Sequence, residues 1–318
     1  MNKLLLIPII AGGVLFTLGT ALFVVGVVNS TVNNKSVTNE IELTDNFNKI
    51  DIDVSVTDIE FKATTDGTQK VVFEEREKEH HSAVVSNETL NIRYQNDKKW
   101  FEKIFVFDWK PMKATIYMPV ATYADLKIKT STGDTTIPSD FTFENVDYQA
   151  STGDLKMSAT ISSYLQVKAS TGNVTMTDAN VKNMILNSST GGYKLTNVNV
   201  EEKGDIKVST GRISLTNVTA QDLDLKASTG NITLTDTVVA NHLDIKASTG
   251  NVKLSKSDAK TINVKTSTGD VTMTLLSKHI FVVDTDTGKK SYPKDSTEGG
   301  ICQVETDTGD IKITIVTE

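Results

Sequence analysis

An all-β fold, a single-stranded parallel β-solenoid, is what this sequence predicts, and three observations predict it. Thr-Gly pairs recur at Gly133, Gly153, Gly172, Gly191, Gly211, Gly230, Gly250, Gly269, Gly288 and Gly309, so every step is 19 to 21 residues. Apolar residues recur at −7, −5, −3, +2 and +4 from each glycine, as in Leu223, Leu225, Ala227, Ile232 and Leu234 around Gly230. The polar positions between them are nearly as constant, with Thr at −1 in all ten coils and Ser at −2 in eight. A fixed period in this range marks one supersecondary unit stacked on the next.

Taken in chain order, the first element is Leu4 to Val28, 25 residues without a charge, preceded by Lys3. At 1.5 Å per residue this spans a hydrocarbon core of about 30 Å with room for tilt. It is too long for the apolar region of a cleaved signal peptide and lacks a small-residue cleavage site. The expectation is therefore a transmembrane anchor over residues 1–28, amino end inside and the bulk of the chain extracytoplasmic. Residues 29–40 read as a polar spacer.

From Ile41 to Val120 the 19-residue period is missing and short alternating runs replace it. Ile50, Ile52, Val54 and Val56 alternate with Asp51, Asp53 and Ser55, and further runs lie at Ile59–Phe61, Val71–Phe73, Val84–Val85, Leu90–Tyr94 and Ala114–Met118. Period-2 alternation marks half-buried strands, and the expected role is a β-meander cap closing the open end of a stack. Within it, Trp100, Phe101, Phe105, Phe107 and Trp109 gather both tryptophans and a quarter of all aromatics in ten residues. Two readings stand: an exposed anchor for a membrane interface or partner protein, or rings filling the cap's own core. His80 and His81 read as a solvated face.

Residues 121–318 form the predicted solenoid domain. Alternation on both sides of each Thr-Gly gives two short strands meeting at a corner whose positive φ glycine permits. The Asn or Asp that often follows is expected to tolerate left-handed geometry, and an apolar residue near +7 (Val198, Val218) suggests a third, shorter side. In register, nine steps of about 4.8 Å make a rod of roughly 43 Å.

Two ladders on the outer face bear on function. Lys129, Lys168, Lys207, Lys226, Lys246 and Lys265 stand at −4, with Asp205, Asp224 and Asp244 at −6 beside them. The expectation is a self-neutralising charge stripe, the alternative being a site for an anionic wall polymer. Near the carboxyl end Asp284, Asp286, Glu305 and Asp307 replace Lys and Ser, placing four carboxylates on two adjacent coils. Oxygen-only clusters suit Ca²⁺, although the Gly-Gly-x-Gly-x-Asp pattern of calcium β-rolls is absent and Lys289, Lys290 and Lys294 are at hand to neutralise it. No other cofactor is expected.

Net charge is −7 for the chain and −4 from residue 121 onward, where 20 basic residues face 24 acidic ones. That balance, with only three arginines, argues against nucleic-acid binding. The single cysteine, Cys302, excludes a disulfide framework and reads as a buried small hydrophobe. No nucleophile, base and oxyanion set assembles and no phosphate loop appears, so a non-catalytic surface binding or scaffold module is expected. A regulatory partner of a membrane complex is the second reading.

The segment Ala114-Thr-Ile-Tyr-Met-Pro119, then Leu126-Lys-Ile-Lys-Thr-Ser-Thr-Gly-Asp134 and a Ser-Thr-Gly-Asp/Asn motif at successive coils, resembles the bacterial family of candidate adhesins with β-strand repeats, domain of unknown function 4097. The likeness covers about Ile41 to Thr317, and the chain resembles the LiaG-type members, which pair one amino-terminal membrane helix with an extracytoplasmic domain. The resemblance implies a cell-surface β-solenoid of Gram-positive bacteria linked to envelope-stress signalling, without catalytic residues. Gly191-Gly192 and the Asp-Thr-Gly coils depart from the common turn.

Overall fold

The computed structural model describes residues 36–97, 111–294 and 297–316. Every regular element among them is a β-strand, and all the strands join in one sheet of 24. The repeat registers as its period requires. Leu223, Leu225 and Ala227 pair in parallel with Leu243, Ile245 and Ala247, and Ile232 and Leu234 pair with Val252 and Leu254. All ten side chains are buried in a single apolar core running the length of the rod. Burying one Leu or Ile is worth roughly 1.5–3 kcal/mol, so each inward set holds its coil against the next.

Three corners close each coil. At the first, all ten repeat glycines have φ between 136° and 158°. At Gly230 a Cβ would also run into the carbonyl oxygen of Gly211 in the preceding coil, so the corner excludes any side chain twice over. The second corner corrects an expectation. The left-handed residue is not the one after the glycine but, in the five coils from Gly172 to Gly250, the one at +6: Asp178, Asn197, Asn217, Asp236 and Lys256, with φ of 48–54°. Asn and Asp tolerate this region because a short polar side chain can bond locally. The third corner is a bulge, where pairing shifts by one residue, as between Val200 and Lys203 against Ala220 and Asp222. Here the one-residue variation between coils is absorbed, so the glycines stay stacked while the period wavers. The short third side is present, with Val198 paired to Val218 and both buried.

The Asn or Asp after each glycine does a different job. Its side-chain oxygen accepts the backbone N–H of the equivalent residue one coil on: Asp58 accepts from Asp134 N, Asp134 from Asp154 N and Asp154 from Asn173 N, at 2.7–2.8 Å. Asn173 then accepts from Gly192 N at 2.9 Å. There the row stops, because Gly192 carries no side chain and Arg212 follows it. It resumes as Asn231, Asn251, Asp270, Asp310 and the Lys289 N–H, at 2.8–2.9 Å. This is where the Gly191-Gly192 departure shows itself: the glycine corner is kept and the outer polar row is broken.

At the amino end the rod begins earlier than the period suggests. The strand Lys49–Thr64 is itself a coil: Ile50, Ile52 and Val56 pair with Leu126, Ile128 and Thr132, and Thr57 occupies the glycine place under Gly133. On its other side it pairs in parallel with Thr89–Asn96 and Met112–Pro119. The antiparallel part of the cap is Lys70–Arg76, Glu79–Ser86 and Ser36–Glu42. The meander is thus grafted onto a first coil, and the end of the expected spacer, from Ser36, is a strand. Leu4–Val28 and Trp100–Trp109 lie outside the described residues, among which no helix is long and apolar enough to cross a membrane.

Beneath the cap lies a buried polar cluster. His81, read from the sequence as solvated, has a fully buried ring; His80 is the half-exposed one of the pair. The His81 Nε2 lies 2.9 Å from Thr57 Oγ1 and its Nδ1 lies 3.1 Å from Glu75 Oε2, while the ring stacks on Phe73. Glu75 also accepts the His81 backbone N–H at 2.8 Å. Arg76 and Tyr94 donate to the two oxygens of Glu79 at 2.9 and 2.7 Å. Burial pushes the His81 ring below the usual histidine value, and Glu75 opposes this only in part.

At the carboxyl end the order of coils is exchanged. The strand Asp258–Thr268 pairs not with the next coil's His279–Thr287 but with Gly300–Thr308, which in turn pairs with His279–Thr287. The last coil is inserted between its two predecessors, so the chain's final strand, Ile311–Ile315, is flanked by neighbours on both sides. Gly309 accordingly stacks on Gly269, and Gly288 on Gly309. Cys302 sits in this inserted coil, fully buried, its thiol pushed up to about 12 by burial.

Three outcomes are expected. Gly230→Ala destabilises the rod by about 3 kcal/mol or more, since backbone strain adds to a clash with Gly211; equilibrium denaturation measures it, and a neutral result refutes the corner argument. Arg212→Asn restores an acceptor to the broken row and stabilises by about 1 kcal/mol, read the same way. For His81 the folded value lies below the ordinary 6.5, so the folded state binds fewer protons than the unfolded one as pH falls through that value. Its share of stability is present above pH 6.5 and lost on acidification. Unfolding in urea at pH 7.5 and 5.5 should show a smaller loss in His81→Gln than in the parent chain.

Candidate functional site

On the first side of each coil, positions −6, −4 and −2 share one outward face, because successive side chains in a strand alternate. Parallel register stacks each position into a row. Long side chains at −4 beside short hydroxyls at −2 leave a trough, and it forms a groove of about 720 Å³ running from Asp53 and Val54 to the Gly230 coil. One rail is Lys129, Gln149, Lys168, Asn187, Lys207 and Lys226; the other is serine, from Ser131 to Ser228. The floor between them is the small −3 row, including Ala150 and Ala169. At about 4.8 Å per coil, lysine alternates with a neutral amide over the first five glycine coils, from Lys129 to Lys207, placing one lysine roughly every 10 Å.

The charges on this rail are balanced only in part. Lys207 pairs with Asp205 of its own coil at 2.6 Å, as the −6 and −4 arrangement predicts. Asp224 instead pairs with Lys203 at 2.7 Å, and Asp244 accepts from Asn263 at 2.8 Å. Lys129 reaches Asp53 in the first coil at 3.5 Å, and Lys265 reaches Glu305 at 2.9 Å. Lys168, Lys226 and Lys246 have no carboxylate within ion-pair distance among the described residues. The stripe is therefore not self-neutralising along its length, and two of the three unpaired lysines line the groove.

The carboxyl-terminal acids meet a different fate. Asp284 and Glu305 are cross-strand partners as expected, but each is held by a lysine, Asp284 by Lys290 and Glu305 by Lys265, both at 2.9 Å. The Lys290 ammonium holds the Asp284 carboxyl below the usual range. The Lys265–Glu305 pair exists because of the exchanged coil order, which sets Glu305 and not Asp284 beside Lys265. Asp286 and Asp307 lie one step further along the same two strands. Among the described residues no group of three or more His, Cys, Asp or Glu is placed to hold a metal ion.

Sequence reasoning passed over the groove's first coil. The stretch Ser55-Val-Thr-Asp58 has the alternation of the later corners but no glycine, and this hid its register. It also missed the Thr57–His81–Glu75 cluster, whose members are 24 and 6 residues apart and meet only through cap pairing.

No curated protein matches the chain. A solved candidate adhesin from Bacteroides fragilis shares 18% identity over 88% of this chain and 97% of its own, with a TM-score of 0.33. A candidate adhesin from Parabacteroides distasonis shares 12% over 88% and 98%, with a TM-score of 0.47. A protein from the same species described as a candidate lipid-binding protein shares 16% over 90% and 98%, with a TM-score of 0.30. The family model Toastrack DUF4097 matches residues 47–314, from the first coil on the amino side to the inserted strand at the other end. The chain belongs to the Toastrack DUF4097 family.

Proposed function

We propose that the protein is a membrane-anchored, extracytoplasmic binding module, held by Leu4–Val28, that grips an extended anionic polymer along the serine and lysine groove without turning it over. The observation that carries this reading is the pair of groove lysines without a counter-ion, Lys168 and Lys226, beside a continuous hydroxyl rail. An ammonium on a flexible stem suits a phosphate or carboxylate as a point charge, and serine hydroxyls both donate and accept toward polymer hydroxyls. Lys168 and Lys226 stand three coils apart, roughly 14 Å at about 4.8 Å per coil, which suits a chain with regularly repeated anions, of the kind cell-wall polymers present. A rigid rod whose binding rows follow from its core packing keeps that spacing without reordering on binding, which lowers the entropic cost of association. Family membership and the LiaG-type likeness favour an envelope location for such a module.

Binding of the full-length chain to inorganic polyphosphate and to polygalacturonate, with dextran as the neutral comparison, tests the proposal. Both anionic polymers should bind and dextran should not, with affinity falling as salt rises. Lys168→Glu with Lys226→Glu should weaken binding by about tenfold or more, corresponding to about 1.4 kcal/mol, and polymer length should be unchanged after incubation. Equal binding of dextran, or no effect of the double substitution, would overturn the assignment; shortening of the polymer would make the protein an enzyme.

A further inference from the structure

The carboxyl-terminal end of the rod is unlike the amino-terminal one. The amino end is covered by antiparallel strands, whereas the outermost coil at the other end exposes the edge of His279–Thr287, which pairs with Gly300–Thr308 on one side and with no described strand on the other. An open edge of nine residues offers a row of unpaired N–H and C=O groups. The core also comes to the surface here. Phe281, Val283 and Tyr292 are only half-buried against it, and Phe281 and Tyr292 meet at 6.2 Å. On the outer face Ile280 and Ile301 are cross-strand neighbours, 44% and 52% exposed, and Val282 beside them is 53% exposed.

We infer that this end is a surface for a second copy of the chain: two rods join end to end, their outermost strands pairing antiparallel about a two-fold axis at Val282. The axis is chosen by charge and by packing. Centred there, Lys278 of one copy faces Asp286 of the other, twice by symmetry, and both residues are exposed and unpaired among the described residues. Phe281 faces Val283 on the core side, so the half-buried rings of both copies close over one another and the two cores become continuous. Val282 meets its own equivalent on the outer face. Asp284, opposite Ile280 in this register, is already neutralised by Lys290. Centring one residue further on, at Val283, would set Asp286 against Ile280 and place Lys278 opposite a glycine. The interface is isologous, so it closes at two copies and does not run on into a fibre. The exchanged coil order fits this use, because the strand left at the edge is an internal one, tethered at both ends and not a fraying terminus.

Val282→Cys in the full-length chain, purified in mild detergent and lightly oxidised, tests this. Opposed residues of an antiparallel pair lie about 4.5–5.5 Å apart at Cα, within disulfide reach, and the buried native Cys302 is kept out of the reaction. The expected results are a dimeric mass for the parent chain and a disulfide-linked dimer for Val282→Cys. Val84→Cys, exposed on the cap, should give none. Adding Lys278→Glu should abolish the cross-link, and adding Asp286→Lys to that should restore it. A monomeric parent chain, cross-linking at Val84→Cys equal to that at Val282→Cys, or indifference to Lys278→Glu would each overturn the inference.

Discussion

The close approach of backbone to backbone at the glycine corner is the constraint on which the rest depends. Each repeat glycine lies against the carbonyl of the coil before it, where even one methyl group would collide. A slip of one residue would push Thr or Asn into that gap and turn every inward side chain outward. Register is therefore set at the corner, and the apolar ladders, the amide row and the outer rails all follow from it. The coils differ in length by a residue or two, but the difference is discharged at the bulge corner, as at Val200 to Lys203. One corner is rigid and another is elastic, which lets a drifting period build a straight stack.

Regular stacking also creates an electrostatic difficulty, since identical charges recur about every 4.8 Å. The molecule answers it unevenly. The amide row converts like residues into donors and acceptors, Asp154 N–H toward the Asp134 carboxylate, for instance. On the lysine rail, amides at Gln149 and Asn187 separate the charges of Lys129, Lys168 and Lys207. Where lysines do follow one another, Asp224 and Asp244 stand nearby but are engaged elsewhere. The groove lysines left without a carboxylate partner among the described residues, Lys168 and Lys226, cost the fold some repulsion, and they are the groups available to a ligand.

The two ends solve the open-edge problem by opposite means. At the amino end a glycine-free coil carries a cap whose polar cluster joins Thr57, Glu75 and His81 across three strands. At the carboxyl end the last coil is folded inward, and an internal strand is left as the edge. The first device hides the edge in protein; the second presents it in a fixed, tethered form.

The solenoid, its three-sided coil and the inward ladders were legible in the sequence because a steric requirement repeats in it ten times: Thr-Gly with apolar residues two apart marks the corner and its flanking strands. The two outer rails were legible for the same reason. What the period could not carry was decided in three dimensions. Ser55-Val-Thr-Asp58 joins the stack by register and not by motif, so it was invisible to a search for glycine. The left-handed residue at +6 was masked because Asn and Asp occur at both +1 and +6, and only pairing shows which one turns the chain. The partners of Asp224 and Asp244, and the absence of one for Lys226 among the described residues, depend on side-chain reach between coils. The exchange of the last two coils leaves no local signal, since Gly288 and Gly309 satisfy the same corner in either order. Local sterics are written along the chain; the order in which equivalent surfaces meet is settled only by packing the whole.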